Sequence, residues 1–367
     1  MEFNFVSVFM LCFAVLAAID RILGNRLGLG KQFERGFMLF GTMALSMIGM
    51  IILSPAIANL LSPVLGFFSD VLHVEPSIIP ATFFANDMGG APLADEVSVN
   101  RALGMFNALV VSSMMGATVS FTLPFALGAV PAEKHAKMLL GFLYGIVTIP
   151  VGCLIAGLFC RLPIGLLLLD LLPLILFSAL IAVGLMLCPS VCVKIFSVLG
   201  AFIKILITVG LVLGMIRFLT GFEVIGGLAT LEEGAAVCLN ASVVMAGAFP
   251  FLHLLSRILT KPMQGLGRAL SVNETSALGF ISTLATNVTT FEMMKDMDDK
   301  GTVLNSAFAV SAAFTFAGHL AFTLAYDASY ILPMIIGKLS AGALALLLAV
   351  FMEGRGKKRE NNEKALS

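Results

Sequence analysis

The segment ANDMGGAP (residues 85–92) places an aspartate among glycines and a proline inside an apolar stretch, and it decides the fold class. A related segment, TNVTT (residues 286–290), occurs in the second half of the chain. Both lie in short apolar regions, 77–93 and 276–294, that are rich in small and polar residues. Backbone of this composition is tolerated at membrane depth only where it is buried in protein or lines a cavity. The two regions are therefore predicted to be re-entrant or broken helices.

The composition indicates a chain that lies mostly within a membrane. Of its 367 residues, 59% are hydrophobic and 12% are charged, whereas soluble domains are about half apolar and about a quarter charged. The 22 basic and 22 acidic residues balance, so no overall field favours nucleic acid. The predicted fold class is an all-α polytopic membrane protein surrounded by membrane lipid, and nucleic acid is not an expected partner.

Apolar runs of about 20 residues, the length that a spanning helix requires, recur along the chain. We identify them at 5–24, 36–53, 102–127, 138–160, 164–188, 203–219, 235–252, 303–326 and 331–352. Two further segments, 55–72 and 252–270, contain prolines and polar or charged residues. They are expected to be amphipathic interfacial helices or, for the first, a tilted span. The prediction is about 9 to 11 transmembrane helices.

Short matches between the two halves of the chain predict an internal repeat. The offset that aligns Asn86 with Asn287 also aligns Asp95 with Asp296, and FTL (121–123) with FTL (322–324). The predicted organisation is a first repeat at 1–160, a connecting helix and loop at 161–202, a second repeat at 203–352 and a basic cytoplasmic tail at 353–367.

The charges of the loops predict that the two repeats have opposite orientations. The first long connection of repeat one carries basic residues, and its counterpart in repeat two carries acidic ones. These residues are Arg21, Arg26, Lys31 and Arg35 in the first, and Glu223, Glu232 and Glu233 in the second. The positive-inside rule then gives an outside N-terminus and a cytoplasmic C-terminus. Inverted repeats with discontinuous helices are typical of secondary transporters, whose sites lie near the bilayer midplane.

Asp87 is the leading candidate for a site residue. Holding a charged carboxylate at the membrane centre costs roughly 2.5–3.5 kcal/mol, so it requires a compensating positive charge. That charge is either an internal Lys or Arg, or a cationic ligand or coupling cation that the backbone at Gly89 and Gly90 helps to bind. Lys338 and His319 lie in the last two predicted spans. They are candidates for a counter-ion or relay, the alternatives being a snorkelling lysine and a neutral packing histidine.

The two polar tips supply neutral donors and acceptors for a substrate. These are Asn86, Thr286, Asn287, Thr289 and Thr290. Simple capping of the broken helices is the alternative role for them. Glu292, beside the second tip, is the reserve carboxylate, and Asp170 is expected to be interfacial. The motifs H-E-x-x-H and G-x-S-x-G and the P-loop do not occur in the sequence. We therefore expect no catalytic residue, no metal and no cofactor.

Several runs of the sequence resemble one family. They are FERGFMLFGTMALSMIGM (33–50), NDMGGAP (86–92), GIVTIPVGC (145–153) and FEMMKDMDDKGTVLNSAFAVSAAFTFAGHLAFT (291–323). The chain resembles the permeases encoded with bacterial ethanolamine-utilisation pathways. The resemblance implies a permease of the bacterial inner membrane that imports protonated ethanolamine by alternating access. The alternatives are transport of another small polar amine or cation, and an intramembrane enzyme. It stays open whether transport is coupled to a proton or a sodium ion and whether the protein forms a homo-oligomer.

Overall fold

The computed structural model describes residues 5–366, except for the side chains of residues 68, 72, 259, 260, 263, 264, 266 and 354–366. Within that part the chain is helical and contains no strand, which confirms the predicted all-α class. The α-helices are α1 (Phe5–Ile22), α2 (Leu29–Leu72), α3 (Ile78–Phe83), α4 (Gly90–Glu96), α5 (Arg101–Phe106), α6 (Leu123–Ala129), α7 (His135–Phe159), α8 (Ile164–Leu187), α9 (Pro189–Thr220), α10 (Leu231–Leu270), α11 (Glu274–Ala285), α12 (Asn287–Met293), α13 (Asp299–Ala312), α14 (Gly318–Tyr326) and α15 (Ile331–Leu366).

Eight helices of the described chain are long and apolar enough to cross a membrane, fewer than the 9 to 11 predicted. The difference lies at 303–326, which was predicted as one span and is divided into α13 and α14. Phe314 has a φ of +60°. The Phe314 and Phe316 amides donate to the Thr283 and Leu284 carbonyls of α11, at 3.1 and 3.0 Å. Because these amides bond to another helix, the i→i−4 ladder stops there.

Two other predictions of helix boundaries were wrong. Segments 55–72 and 252–270 are not separate interfacial helices, because each continues the helix before it, α2 and α10 respectively. Each of these two helices contains two internal prolines. Internal prolines are tolerated in membrane helices because neighbouring groups satisfy the freed carbonyls. The internal prolines therefore do not end these helices.

Local sequence signals set several helix starts. Thr230 accepts from the Glu233 amide, and the Glu233 side chain accepts from the Thr230 amide, forming a capping box before α10. Asn273 caps α11 by accepting from the Ser276 amide at 2.9 Å, and Asn100 caps α5. These caps fix the entry points of the helices.

Small residues allow the long helices to approach closely. A Cβ atom at Gly49 of α2 would overlap the Ile207 carbonyl of α9, and one at Gly210 would overlap the Gly49 carbonyl. Close approach through small residues is a general basis of helix association in membranes. Large apolar side chains such as Leu176 and Leu180 on α8 are exposed, as expected for a surface that faces lipid.

The helical stretch from Arg101 to Ala129 is the most deeply buried of the eight membrane-length helices in the described chain. Two parts of it are π-helical, at Asn107–Gly116 and Thr118–Thr122. π-Helical turns are rare and are found frequently at functional sites. The most deeply buried of these helices is therefore also the least regular one.

Candidate functional site

The first polar segment is a true break in a helix. Helix α3 ends at Phe83, a 3-10 turn occupies Asn86–Met88, and Gly89 adopts a φ of +95° before α4 begins. Only glycine adopts this conformation without strain, and a Cβ atom at Gly89 would also overlap Met50. A Cβ atom at Gly90 would overlap the Ser112 hydroxyl. Both glycines thus have a steric role, and their backbone contact with a substrate stays a prediction.

Asp87 faces a histidine and, beyond it, a lysine. The His319 Nε2 atom lies 3.9 Å from the Asp87 Oδ1 atom, and the Lys338 Nζ atom lies 3.0 Å from His319 Nδ1. His319 and Lys338 are 2% and 1% exposed, whereas the Asp87 side chain is 27% exposed. The structure therefore brings together three of the predicted residues, and the carboxylate is the member that a ligand can reach.

The order of these three groups fixes their electrostatic relation. An ammonium group only donates hydrogen bonds, so a charged Lys338 makes His319 Nδ1 the acceptor and leaves the proton on Nε2, towards Asp87. Lys338 also donates to the Ser113 carbonyl at 2.6 Å. The snorkelling alternative for Lys338 was wrong, because its side chain is buried. The lysine compensates the carboxylate through the imidazole rather than by direct contact.

The side-chain amide of Asn86 is buried and lacks a hydrogen-bond partner among the described residues. Its side chain is 0% exposed, and neither Oδ1 nor Nδ2 has a hydrogen-bond partner within the described residues. A buried polar group without a partner costs about 1–3 kcal/mol. A donor and an acceptor are thus available next to Asp87.

The second tip makes more contacts within the protein. Asn287 donates to the Thr122 hydroxyl at 2.9 Å, and its Oδ1 atom has no partner among the described residues. Thr286 accepts from the Val288 amide at 3.2 Å, so the capping role is realised there. The Thr290 hydroxyl lies 3.0 Å from that of Thr283. Among the described residues of this tip, Asn287 thus retains a buried polar atom without a partner.

Two predicted residues lie apart from this cluster. Thr289 and Glu292 are both exposed on α12, and in the described contacts neither bonds to Asp87, His319 or Lys338. Thr289 instead lines a separate cavity of about 420 Å³ with Arg35 and His253. Their predicted role in substrate binding stays a prediction.

The sequence interpretation gave Asp170 no role in the site and did not name Asn107. Asp170 was expected at the membrane interface, yet it is 1% exposed, and Asn107 is 0% exposed. An amide inside a predicted apolar span was the available signal for Asn107. Among the described residues, no cluster of three or more His, Cys, Asp or Glu side chains could hold a metal ion.

The described part of the chain contains eight membrane-length helices and a broken-helix centre. It also contains a reachable carboxylate backed by a buried histidine and lysine. These features define a polytopic membrane transport protein. The comparisons with known proteins specify the family. Residues 3–352 match the model of the "Ethanolamine utilisation protein, EutH" family, and the chain belongs to that family. Members of this family carry the name of probable ethanolamine permeases, which describes a transport protein rather than an enzyme. The resemblance drawn from the sequence is confirmed.

Similar proteins occur in several bacteria. The chain is 41% identical to the "Probable ethanolamine permease EutH" of Listeria monocytogenes, over 98% of this chain and 96% of that protein. It is 36% identical to the protein of the same name in Salmonella typhimurium, over 95% of this chain and 94% of that protein. The protein of that name in Escherichia coli is also 36% identical, with the same coverage. No solved structure matches the chain.

Proposed function

We propose that this protein imports protonated ethanolamine across the bacterial plasma membrane. The observation that carries the proposal is the unpartnered, fully buried Asn86 amide beside a partly exposed Asp87 carboxylate. Ethanolamine has an ammonium group and a hydroxyl, so it requires an anion and a neutral donor–acceptor pair next to each other. The names of the relatives support the same substrate.

The charges of the site suit a cation that binds and leaves. Lys338 compensates Asp87 through His319, so the carboxylate is not left alone in an apolar medium. The distance of 3.9 Å between His319 Nε2 and Asp87 Oδ1 is too long for a hydrogen bond. The carboxylate therefore retains acceptor capacity for an incoming ammonium group.

We further propose alternating access between two inverted repeats, 1–160 and 203–352. The 3-10 turn at Asn86–Met88 and the interruption between α11 and α12 at Thr286 occupy corresponding positions in the two halves. The long helices α2 and α10, each with two internal prolines, also correspond. In this proposal the N-terminus is outside and the tail is cytoplasmic. The side chains of the basic tail lie outside the described residues.

Uptake of labelled ethanolamine into proteoliposomes tests the proposal. Protein-free liposomes at the same pH are the control, because neutral ethanolamine crosses bilayers unaided. Imposed proton and sodium gradients then distinguish the two candidate coupling ions, and cross-linking of the reconstituted protein tests for a homo-oligomer. Uptake no faster than in protein-free liposomes, under every gradient, would contradict the proposal.

Competition by ethylamine tests the role of the hydroxyl. Ethylamine retains the ammonium group and leaves a buried polar group of the site unpaired, which costs about 1–3 kcal/mol. We expect it to bind about ten-fold or more weakly than ethanolamine. Equal competition by the two amines would instead favour a site for small amines in general.

A further inference from the structure

A buried carboxylate, Asp170, lies outside the proposed ethanolamine site. Asp170 of α8 is 1% exposed and is flanked by the buried leucines Leu167, Leu171 and Leu174. Its Oδ1 atom accepts one hydrogen bond, from Asn107 Nδ2 at 3.1 Å, and its Oδ2 atom has no partner among the described residues. None of the described ion pairs includes Asp170.

Asn107 leaves a second oxygen unpaired in the same cluster. Its amide group donates to Asp170 Oδ1 and to the Ser77 hydroxyl at 3.0 Å, while its own Oδ1 atom is buried without a partner among the described residues. The two hydrogens of the Asn107 side-chain amide thus point at Asp170 Oδ1 and at the Ser77 hydroxyl, which are oxygens that a metal cation would need as ligands. A proton on Asp170 Oδ2 requires no further ligand and turns the carboxylate into a neutral acid.

Among the described residues, no positively charged side chain forms an ion pair with Asp170. The loop before α3 contributes Glu75, which is itself acidic and accepts from the Val99 and Asn100 amides. Helix α7 contributes the buried thiol of Cys153. Helix α9 carries Lys194 and Lys204, which are exposed and form no described ion pair with Asp170, and α3 has no titratable residue. An ionised carboxylate with one hydrogen bond in such a place is costly, so the neutral acid is favoured.

The Asp170 cluster is joined to the elements that hold Asp87. Ser77 immediately precedes α3, which leads into the Asn86–Met88 turn. Asn107 begins the π-helical stretch that ends at Gly116, and this stretch also supplies the Ser113 carbonyl to Lys338. A change in the charge of Asp170 would therefore act on both the broken helix and the stretch that anchors the lysine.

We propose that Asp170, with Asn107 and Ser77, is a proton-binding site separate from Asp87, and that its proton is exchanged with water during transport. This inference rests on the proposed function, because it names the proton as the coupling ion. The proton binds at Oδ2 and leaves as a hydrated proton, with no bond to carbon, nitrogen or sulfur made or broken. Import of ethanolamine is driven by a proton gradient when this site loads on one side of the membrane and empties on the other.

Infrared difference spectroscopy of the reconstituted protein, recorded between acidic and alkaline pH, tests the site without requiring transport. The wild type should show the carbonyl band of a buried protonated carboxyl, and the band should be lost in Asp170→Asn. Asp170→Glu should shift the band, whereas Asp87→Asn and the exposed control Asp70→Asn should leave it in place. A wild-type spectrum without such a band, or an unchanged band in Asp170→Asn, would overturn the proposal.

Uptake measurements test the coupling. In Asp170→Asn, an imposed proton gradient should no longer accelerate ethanolamine uptake, while uptake down the ethanolamine gradient persists. Asp170→Glu keeps a titratable group, so a proton gradient should still accelerate its ethanolamine uptake. This variant tests the proposal even if Asp170→Asn does not fold. Acceleration by the proton gradient that survives in a folded Asp170→Asn protein would refute the role, as would acceleration by sodium alone. Absence of wild-type uptake refutes the proposed transport function, and the infrared band still decides whether the proton site exists.

Discussion

Replacing Asp87 by asparagine removes the charge of the candidate site and leaves its shape nearly unchanged. Loss of one partner of a buried ion pair costs about 3–5 kcal/mol. The Asp87 side chain is 27% exposed, and solvent screens partly exposed pairs, so the lower end of that range applies. A loss of about 3 kcal/mol corresponds to about a hundred-fold weaker binding of ethanolamine.

The same change should lower the melting temperature without preventing folding, because the buried Lys338 loses its counter-charge. Lys338 keeps its bonds to the Ser113 carbonyl and to His319, so it is not left without acceptors. Calorimetric titration of the purified protein with ethanolamine measures the affinity, and size-exclusion chromatography confirms folding. The matched control is Asp95→Asn, which changes a carboxylate bonded to the Tyr326 hydroxyl and should bind as the wild type does. A folded Asp87→Asn protein with unchanged affinity would refute the assignment of the ammonium site.

Three further changes test neighbouring features. Lys338→Met should lower the melting temperature, because it leaves Asp87 without its buried counter-charge. The double variant Lys338→Met/Asp87→Asn should recover part of this loss. If the melting-temperature shifts of the two single variants simply add, the two residues are not coupled. Asn86→Leu should reduce the preference for ethanolamine over ethylamine about ten-fold while the affinity for ethylamine is kept. An unchanged preference in competition assays would show that the substrate hydroxyl binds elsewhere. Gly89→Ala should destabilise the protein by more than about 1 kcal/mol, because Gly89 has a positive φ and an added Cβ would overlap the Met50 side chain. The control Gly41→Ala, where an added Cβ meets open space, should have no such effect. Equal thermal melting curves for the two variants would contradict the prediction.

The sequence alone determined the class of the protein, because the free energy of placing a helix in a membrane depends mainly on its own composition and length. The apolar runs and the low fraction of charged residues were sufficient for the all-α membrane class. Four runs, at 33–50, 86–92, 145–153 and 291–323, were sufficient for the family. Helix ends with local caps, such as Asn100 and Thr230, follow from residues close in the chain. Asp87 was identified in the same way, since a carboxylate in an apolar segment is costly wherever the segment packs.

Only the tertiary structure decided which polar groups meet. The break between α13 and α14 depends on carbonyls of α11, which no local pattern in 303–326 encodes. His319 lies between Asp87 and Lys338 because three separate elements converge, and Asp170 is buried because α8 packs against α3 and α7. Hydrogen bonds and charge interactions act over a few ångströms between residues far apart in sequence. Composition therefore determined that these side chains need partners, and packing determined which partners they have.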